Sequence, residues 1–216
     1  VVGENGSGKS TFISLLCGLH KPDSGHVRIN NQNAFENLEL VKRTISCTFQ
    51  MFGRYSMSIA DNIRMGDIYR EYTDDDVIEA ARLSGAYEFI SKLENGIHSQ
   101  LSNYQVGGSE VSGGEWQKIA IARALIKRDA RVLILDEPTA ALDPVAEAKL
   151  YEDFSEMTGD KTTILISHRL GATRLADRIL VFDEGRIVEE GSHAELMERN
   201  GLYAKMYRAQ SQWYVA

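Results

Sequence analysis

Hydrophobic and polar positions change period several times along the chain, and the changes mark out its sections. Residues 11–16, Thr-Phe-Ile-Ser-Leu-Leu, follow a glycine-rich stretch and are predicted to open a helix. Residues 21–25, Lys-Pro-Asp-Ser-Gly, read as a turn, and residues 26–29 as a short alternating strand. A second strand is predicted over residues 44–49, with Gln50 at its carboxyl end. From Tyr55 to about Ser102 the pattern is helical, with short helices over 58–63, 73–83 and 86–93. Thr73 is the predicted N-cap of the second, and Asp74, Asp75 and Asp76 in its first turn complement the helix dipole.

Sheet-like patterning then returns. Residues 131–137 form a continuous apolar run ending in Asp136 and Glu137, the pattern of a strand buried on both faces. Residues 144–157 predict one helix with Leu150, Phe154 and Met157 on a single face, and residues 161–167 another buried strand that ends at His168. Residues 178–182 and 186–190 predict a hairpin around Asp183-Glu184-Gly185. Ser192 and Glu195 have capping-box spacing for a short helix, and a last helix begins near Leu202; both are assigned structural roles only. Strands alternating with helices make this an α/β protein with a helical insert.

Composition narrows the partners. The 216 residues are 43% hydrophobic and 25% charged, ordinary values for a globular protein, and the net charge of −7 argues against a nucleic-acid partner. Cys17 and Cys47 are isolated, so neither a disulfide framework nor a zinc site is expected. No apolar run reaches the ~18 residues of a membrane-spanning helix. Val1-Val2 read as the end of a strand whose earlier part lies upstream, so the chain is expected to be an N-terminally truncated piece that is poorly stable and weakly active alone.

The strongest candidate chemistry lies at the start. Gly3-Glu4-Asn5-Gly6-Ser7-Gly8-Lys9-Ser10 fits the phosphate-binding loop pattern G-x-x-x-x-G-K-[ST], with a helix after it. Glycines let backbone amides surround an anion, and the helix behind adds its positive dipole end. Lys9 supplies charge to the β and γ phosphates of a nucleoside triphosphate, and the Ser10 hydroxyl is a ligand for Mg²⁺. Residues 3–11, including Thr11, are the candidate nucleotide-binding set.

Other residues fall where such a site would use them. Ligands of open α/β sheets sit beyond the carboxyl ends of strands, where Gln50, Asp136-Glu137 and His168 are all predicted to lie. Asp136 and Gln50 are assigned to the metal, Glu137 to the attacking water as general base, and His168 to the γ phosphate. Ser112 and Glu115 have capping-box spacing at the head of a helix, yet Gly113 and Gly114 in its first turn cost roughly 1 kcal/mol each against alanine. That loss is explained if bare backbone approaches a ligand, making a second anion-binding helix start.

Together these residues resemble the nucleotide-binding domain of an ATP-binding cassette (ABC) transporter. The resemblance rests on the phosphate loop Gly3 to Ser10, Gln50, the signature Val111-Ser112-Gly113-Gly114-Glu115, the acidic strand end Leu133 to Glu137, Ala140-Ala141-Leu142-Asp143 and His168, in that order. Val111 and Glu115 stand where the family more often has Leu and Gln. The resemblance implies a P-loop NTPase core, a RecA-like mostly parallel sheet with flanking helices, in two parts at 1–52 and 126–216. An inserted helical subdomain would fill 53–125 and end in the signature helix. It further implies that Ser112, Gly113, Gly114 and Glu115 serve ATP held by a second such domain, identical or paralogous, and that Asp143 communicates between the two. Residues 58–63, 104–110, 167–170 and 190–196 resemble the exporter type, which implies a permease, often fused upstream, and a place on the cytoplasmic face of a membrane. The aromatic residue that stacks on adenine would lie before Val1. The expected function is ATP hydrolysis, with ATP and Mg²⁺, driving export. The alternatives are a soluble ABC-type ATPase acting on nucleic acid or ribosomes and a regulatory module that binds ATP without turnover.

Overall fold

The computed structural model describes residues 1–101 and 110–212; the predicted 104–110 loop lies, except for Glu110, outside them. Eight strands are described: β1 (Val2–Gly3), β2 (Arg28–Ile29), β3 (Gln32–Asn33), β4 (Ile45–Thr48), β5 (Val132–Asp136), β6 (Thr162–Ile166), β7 (Ile179–Asp183) and β8 (Arg186–Gly191). The chain divides into two compact units, residues 1–41 with 164–216, and residues 42–163.

In the first unit β1 pairs parallel with β7, setting Val2 against Val181 and Gly3 against Phe182. On its other side the backbone nitrogen of Val1 donates to Leu165 O at 2.7 Å, so β1 lies between β7 and the last residues of β6. β7 turns into antiparallel β8 through Glu184 and Gly185, both at positive φ (45° and 76°), a turn that follows the natural twist of a hairpin. Val2, Leu170, Ile179, Val181, Leu196 and Tyr203 form the core. Phe12, from the helix Lys9–Leu16 that follows β1, packs its ring 5.3 Å from that of Phe182. The last helix, Leu202–Gln212, is fixed at its start by Glu189 of β8, whose carboxylate accepts the Leu202 and Tyr203 amides at 2.5 and 3.0 Å. A carboxylate there satisfies amides that no helical carbonyl reaches.

In the second unit β4 and β5 are parallel, Ile45 to Thr48 pairing in register with Val132 to Leu135. Thr162 donates to Arg131 O at 2.9 Å, setting the start of β6 beside β5. Leu133, Ile134 and Leu135 are fully buried, as the continuous apolar run predicts. The helix Gly113–Leu125 lies against β4, where Ser46 and Thr48 hydroxyls donate to Ala124 O (2.6 Å) and Ala120 O (3.1 Å). Helices Ile59–Arg64, Asp74–Leu83 and Tyr87–Ile90 make up the helical stretch, the second capped by Thr73 and Asp76 in a full capping box. Arg123 joins it to the signature helix: its guanidinium donates to Asn62 O (2.9 Å), Asn62 Oδ1 (3.0 Å) and Gly53 O (3.1 Å). Burial lowers its pKa below the ordinary arginine value.

Two expectations need correction. The helix predicted over 144–157 is broken into Pro144–Glu152 and Phe154–Thr158, because Asp153 adopts φ −84°, ψ 2°. Aspartate is a weak helix former, while Leu150 and Met157 stay buried on both sides of the break, so periodicity conceals it. The strand predicted as buried over 161–167 is only partly so: of β6, Ile166 alone is buried. A short apolar run does not by itself distinguish one covered face from two.

Candidate functional site

The phosphate loop, in the first unit, links β1 to the helix Lys9–Leu16. Gly8 is the N-cap, at φ 101°, and has no side chain of its own to bond the first helical amides. A Cβ at Gly8 would also stand 3.2 Å from the Gly185 Cα, and Gly185 N donates to Ser7 O at 3.0 Å. The β7–β8 turn thus braces the loop from behind. Lys9 is buried; its Nζ donates to Gly3 O and Glu4 O, both at 2.8 Å, and to Ser7 Oγ at 3.4 Å. Glu4, Asn5, Gly6, Ser10 and Thr11 are exposed, whereas Gly3 and Ser7 are buried. The result is a loop drawn tight by a lysine, with its glycine-capped helix end open to solvent, an arrangement suited to an anion.

His168 stands beside the same loop. A pocket of about 590 Å³ is lined by Gly3, Glu4 and Asn5, by Ser167, His168 and Leu170, and by Met206, Ala209 and Gln210 of the last helix. Gln210 fastens the His168 segment: its Nε2 donates to His168 O, and its Oε1 accepts the Leu170 amide at 2.6 Å. The last helix, read from sequence as structural only, therefore reaches a candidate site residue. The sequence carried a signal for it, since Tyr203, Met206, Tyr207 and Gln210 share one helical face, and the first three pack on the core.

The acidic strand end belongs to the second unit. Asp136, the last residue of β5, is buried at 6% exposure. Glu137 follows at φ 51°, a left-handed backbone that non-glycine residues adopt at a cost. Gln50 Nε2 donates to Glu137 Oε2 at 2.8 Å, so these two predicted residues, 87 positions apart, are in direct contact. The Glu137 carbonyl accepts Gln117 Nε2 at 2.7 Å, and Gln117 Oε1 accepts the Ala141 amide at 2.7 Å. Gln117 is 3% exposed and was not singled out from sequence. Its signal was present too: residues 117, 120, 121 and 124 share one buried helical face, where a polar side chain needs partners.

The signature helix has the predicted cap. Ser112 Oγ accepts Glu115 N at 3.3 Å, and Glu115 Oε2 accepts Ser112 N at 2.7 Å. The charge of Glu115 is thus engaged locally. Ser112 and Gly113 are exposed, and a Cβ at Gly113 would meet only Ala141 Cβ, at 3.9 Å. Gly114 has a reason inside the chain: a Cβ there would lie 3.1 Å from Ala141 O and 3.5 Å from Leu142 Cδ2. Asp143 is the exposed N-cap of Pro144–Glu152, its Oδ1 accepting the Val145 (2.9 Å) and Ala146 (3.0 Å) amides. Those amides, Ala146 first, hold its carboxyl below the usual range.

A glycine-capped phosphate loop behind a parallel strand, with a second buried strand ending in Asp-Glu, defines a P-loop nucleoside-triphosphate-binding fold. The particular family follows from the comparisons, in which the family model described as ABC transporter matches residues 1–140. The chain belongs to the ABC transporter family and carries its ATP-binding ATPase domain. It is 42% identical over 207 residues to the subtilin transport ATP-binding protein SpaT of Bacillus subtilis, covering 95% of this chain and 34% of that protein. It is 40% identical over 213 residues to the ATP-dependent lipid A-core flippase of Vibrio vulnificus (strain CMCP6), covering 97% and 35%. A solved bacterial Atm1-family ABC exporter with ATP bound superposes with a TM-score of 0.88 at 33% identity, covering 97% of this chain and 36% of that one. The chain spans about a third of the length of the curated relatives it matches.

Proposed function

We propose that this chain is the ATP-hydrolysing motor of an exporter, in which ATP draws two such domains together and hydrolysis lets them part. In this reading residues 3–11 bind the triphosphate, Lys9 countering the charge of its β and γ phosphates. Glu137 takes the proton of the attacking water, and His168 stabilises the γ phosphate. Ser112, Gly113, Gly114 and Glu115 serve the ATP of the partner domain, and Asp143 relays between domains. Residues 1–52 and 126–216 form the ATP-binding core and 53–125 the helical subdomain, which passes motion to a membrane permease fused upstream. The domain then works at the cytoplasmic face. The relatives' printed names, transport protein and flippase, favour export over action on nucleic acid or ribosomes.

Mg²⁺ fits the donor chemistry. The Ser10 hydroxyl, the Asp136 carboxylate and the Gln50 amide oxygen are hard oxygen donors, and the bond to Glu137 uses the nitrogen end of the Gln50 amide. When bound, the ion would neutralise charge on the transferring phosphoryl group. Too few protein carboxylates gather among the described residues to enclose a cation, in keeping with an ion shared with phosphates and water.

The observation that carries the reading is Glu137 itself, held beyond the strand end with its carboxylate on Gln50. The test is Glu137→Gln in the full-length protein. ATP affinity and ATP-driven dimerisation are expected to persist while hydrolysis slows by about 10²–10⁴-fold, the contribution of a general base. Unimpaired turnover would remove Glu137 from the role.

A further inference from the structure

Gln117 ties the signature helix to Glu137. It sits one turn into the helix that Ser112 caps, and both ends of its amide are bound to backbone: Nε2 to Glu137 O and Oε1 to Ala141 N, each at 2.7 Å. The contact is close, since a Cβ at Gly114, one helical turn earlier, would stand only 3.1 Å from Ala141 O. A buried amide with donor and acceptor both engaged is a rigid strut, and losing either partner would strand a polar group away from water. The carbonyl it holds belongs to a residue whose left-handed φ of 51° needs support from its surroundings.

We propose that Gln117 is a positioning residue for hydrolysis: it fixes the backbone of Glu137 and the start of the Ala141-Leu142-Asp143 loop to the signature helix. Displacement of that helix then changes where the Glu137 carboxylate stands. The partner domain's nucleotide, acting on Ser112 and Gly113, would thereby adjust the base belonging to the chain's own site. This inference rests on the assignment of Glu137 as the base.

The experiment measures single-turnover ATP hydrolysis and ATP affinity in the full-length protein. The variants are Gln117→Met and Gln117→Glu, each alone and combined with Glu137→Gln. Gln117→Met keeps the shape and loses both hydrogen bonds; hydrolysis is expected to fall roughly tenfold, with ATP affinity nearly unchanged. The Gln117→Glu side chain reproduces the donor and acceptor pair only when protonated. Its rate relative to wild type should therefore climb as pH falls, while that of Gln117→Met stays flat. In the Glu137→Gln background the Gln117→Met change should have almost no further effect on hydrolysis. The proposal is overturned if Gln117→Met slows hydrolysis equally in both backgrounds, if it weakens ATP binding by the same factor as turnover, or if Gln117→Glu shows no pH recovery. Fast hydrolysis by Glu137→Gln alone would instead remove the base assignment, a result separable from these three.

Discussion

Glu137 joins the buried end of a strand to a loop with a backbone conformation that costs an L-residue about 1 kcal/mol or more. The surrounding bonds to Gln50 and Gln117 make that conformation sustainable. A stability ordering follows that reverses ordinary propensity. Glu137→Gly should be more stable than Glu137→Ala by about 1 kcal/mol, because glycine is not penalised at φ 51°. Denaturant titration of the two variants checks this, and alanine as the more stable would mean the residue is not strained. Neither variant has a carboxylate, so the comparison isolates backbone from chemistry.

Helix capping governs the elements and carries a pH dependence. Asp76 accepts the Thr73 hydroxyl and amide at 2.7 and 2.9 Å, and these bonds, the hydroxyl first, hold its carboxyl below the usual 3.8. A folded pKa below the unfolded one means stabilisation that is complete above 3.8 and lost as pH falls through the lower folded value. Asp76→Ala should therefore be less stable than the parent at neutral pH, and the gap should close below about pH 4. Urea midpoints measured across that range decide it; a gap independent of pH would mean that the Asp76 carboxylate is not its source.

At this scale much was legible in the sequence. The caps at Thr73, Ser112 and Ser192, the hairpin through Glu184-Gly185 and the buried β5 each rest on chemistry local to a few residues. The Gln50–Glu137 contact was legible at long range because both residues sit at ends of parallel strands. Helical faces marked Gln117 and Gln210, but not their partners, which lie 20 to 42 residues away outside any regular repeat. The break at Asp153 was hidden because the apolar spacing continues across it.

For the whole molecule, the proposed function makes the phosphate loop and the second anion-suited helix start parts of one chemistry, ATP hydrolysis, divided between copies. Among the described residues no helix is long and apolar enough to cross a membrane. The relatives it matches are about three times its length. The most direct test is complementation in the full-length protein. One copy carries Lys9→Ala, which disables its own phosphate loop. The other carries Gly113→Asp, which sets a carboxylate at the signature where the chain itself has room for a side chain. Single-turnover ATP hydrolysis is measured on the mixed assembly and on each uniform one. If the signature of one copy acts on the ATP of the other, the mixed assembly keeps one intact site and hydrolyses ATP while both uniform assemblies do not. A mixed assembly as inactive as the uniform ones would contradict the shared site.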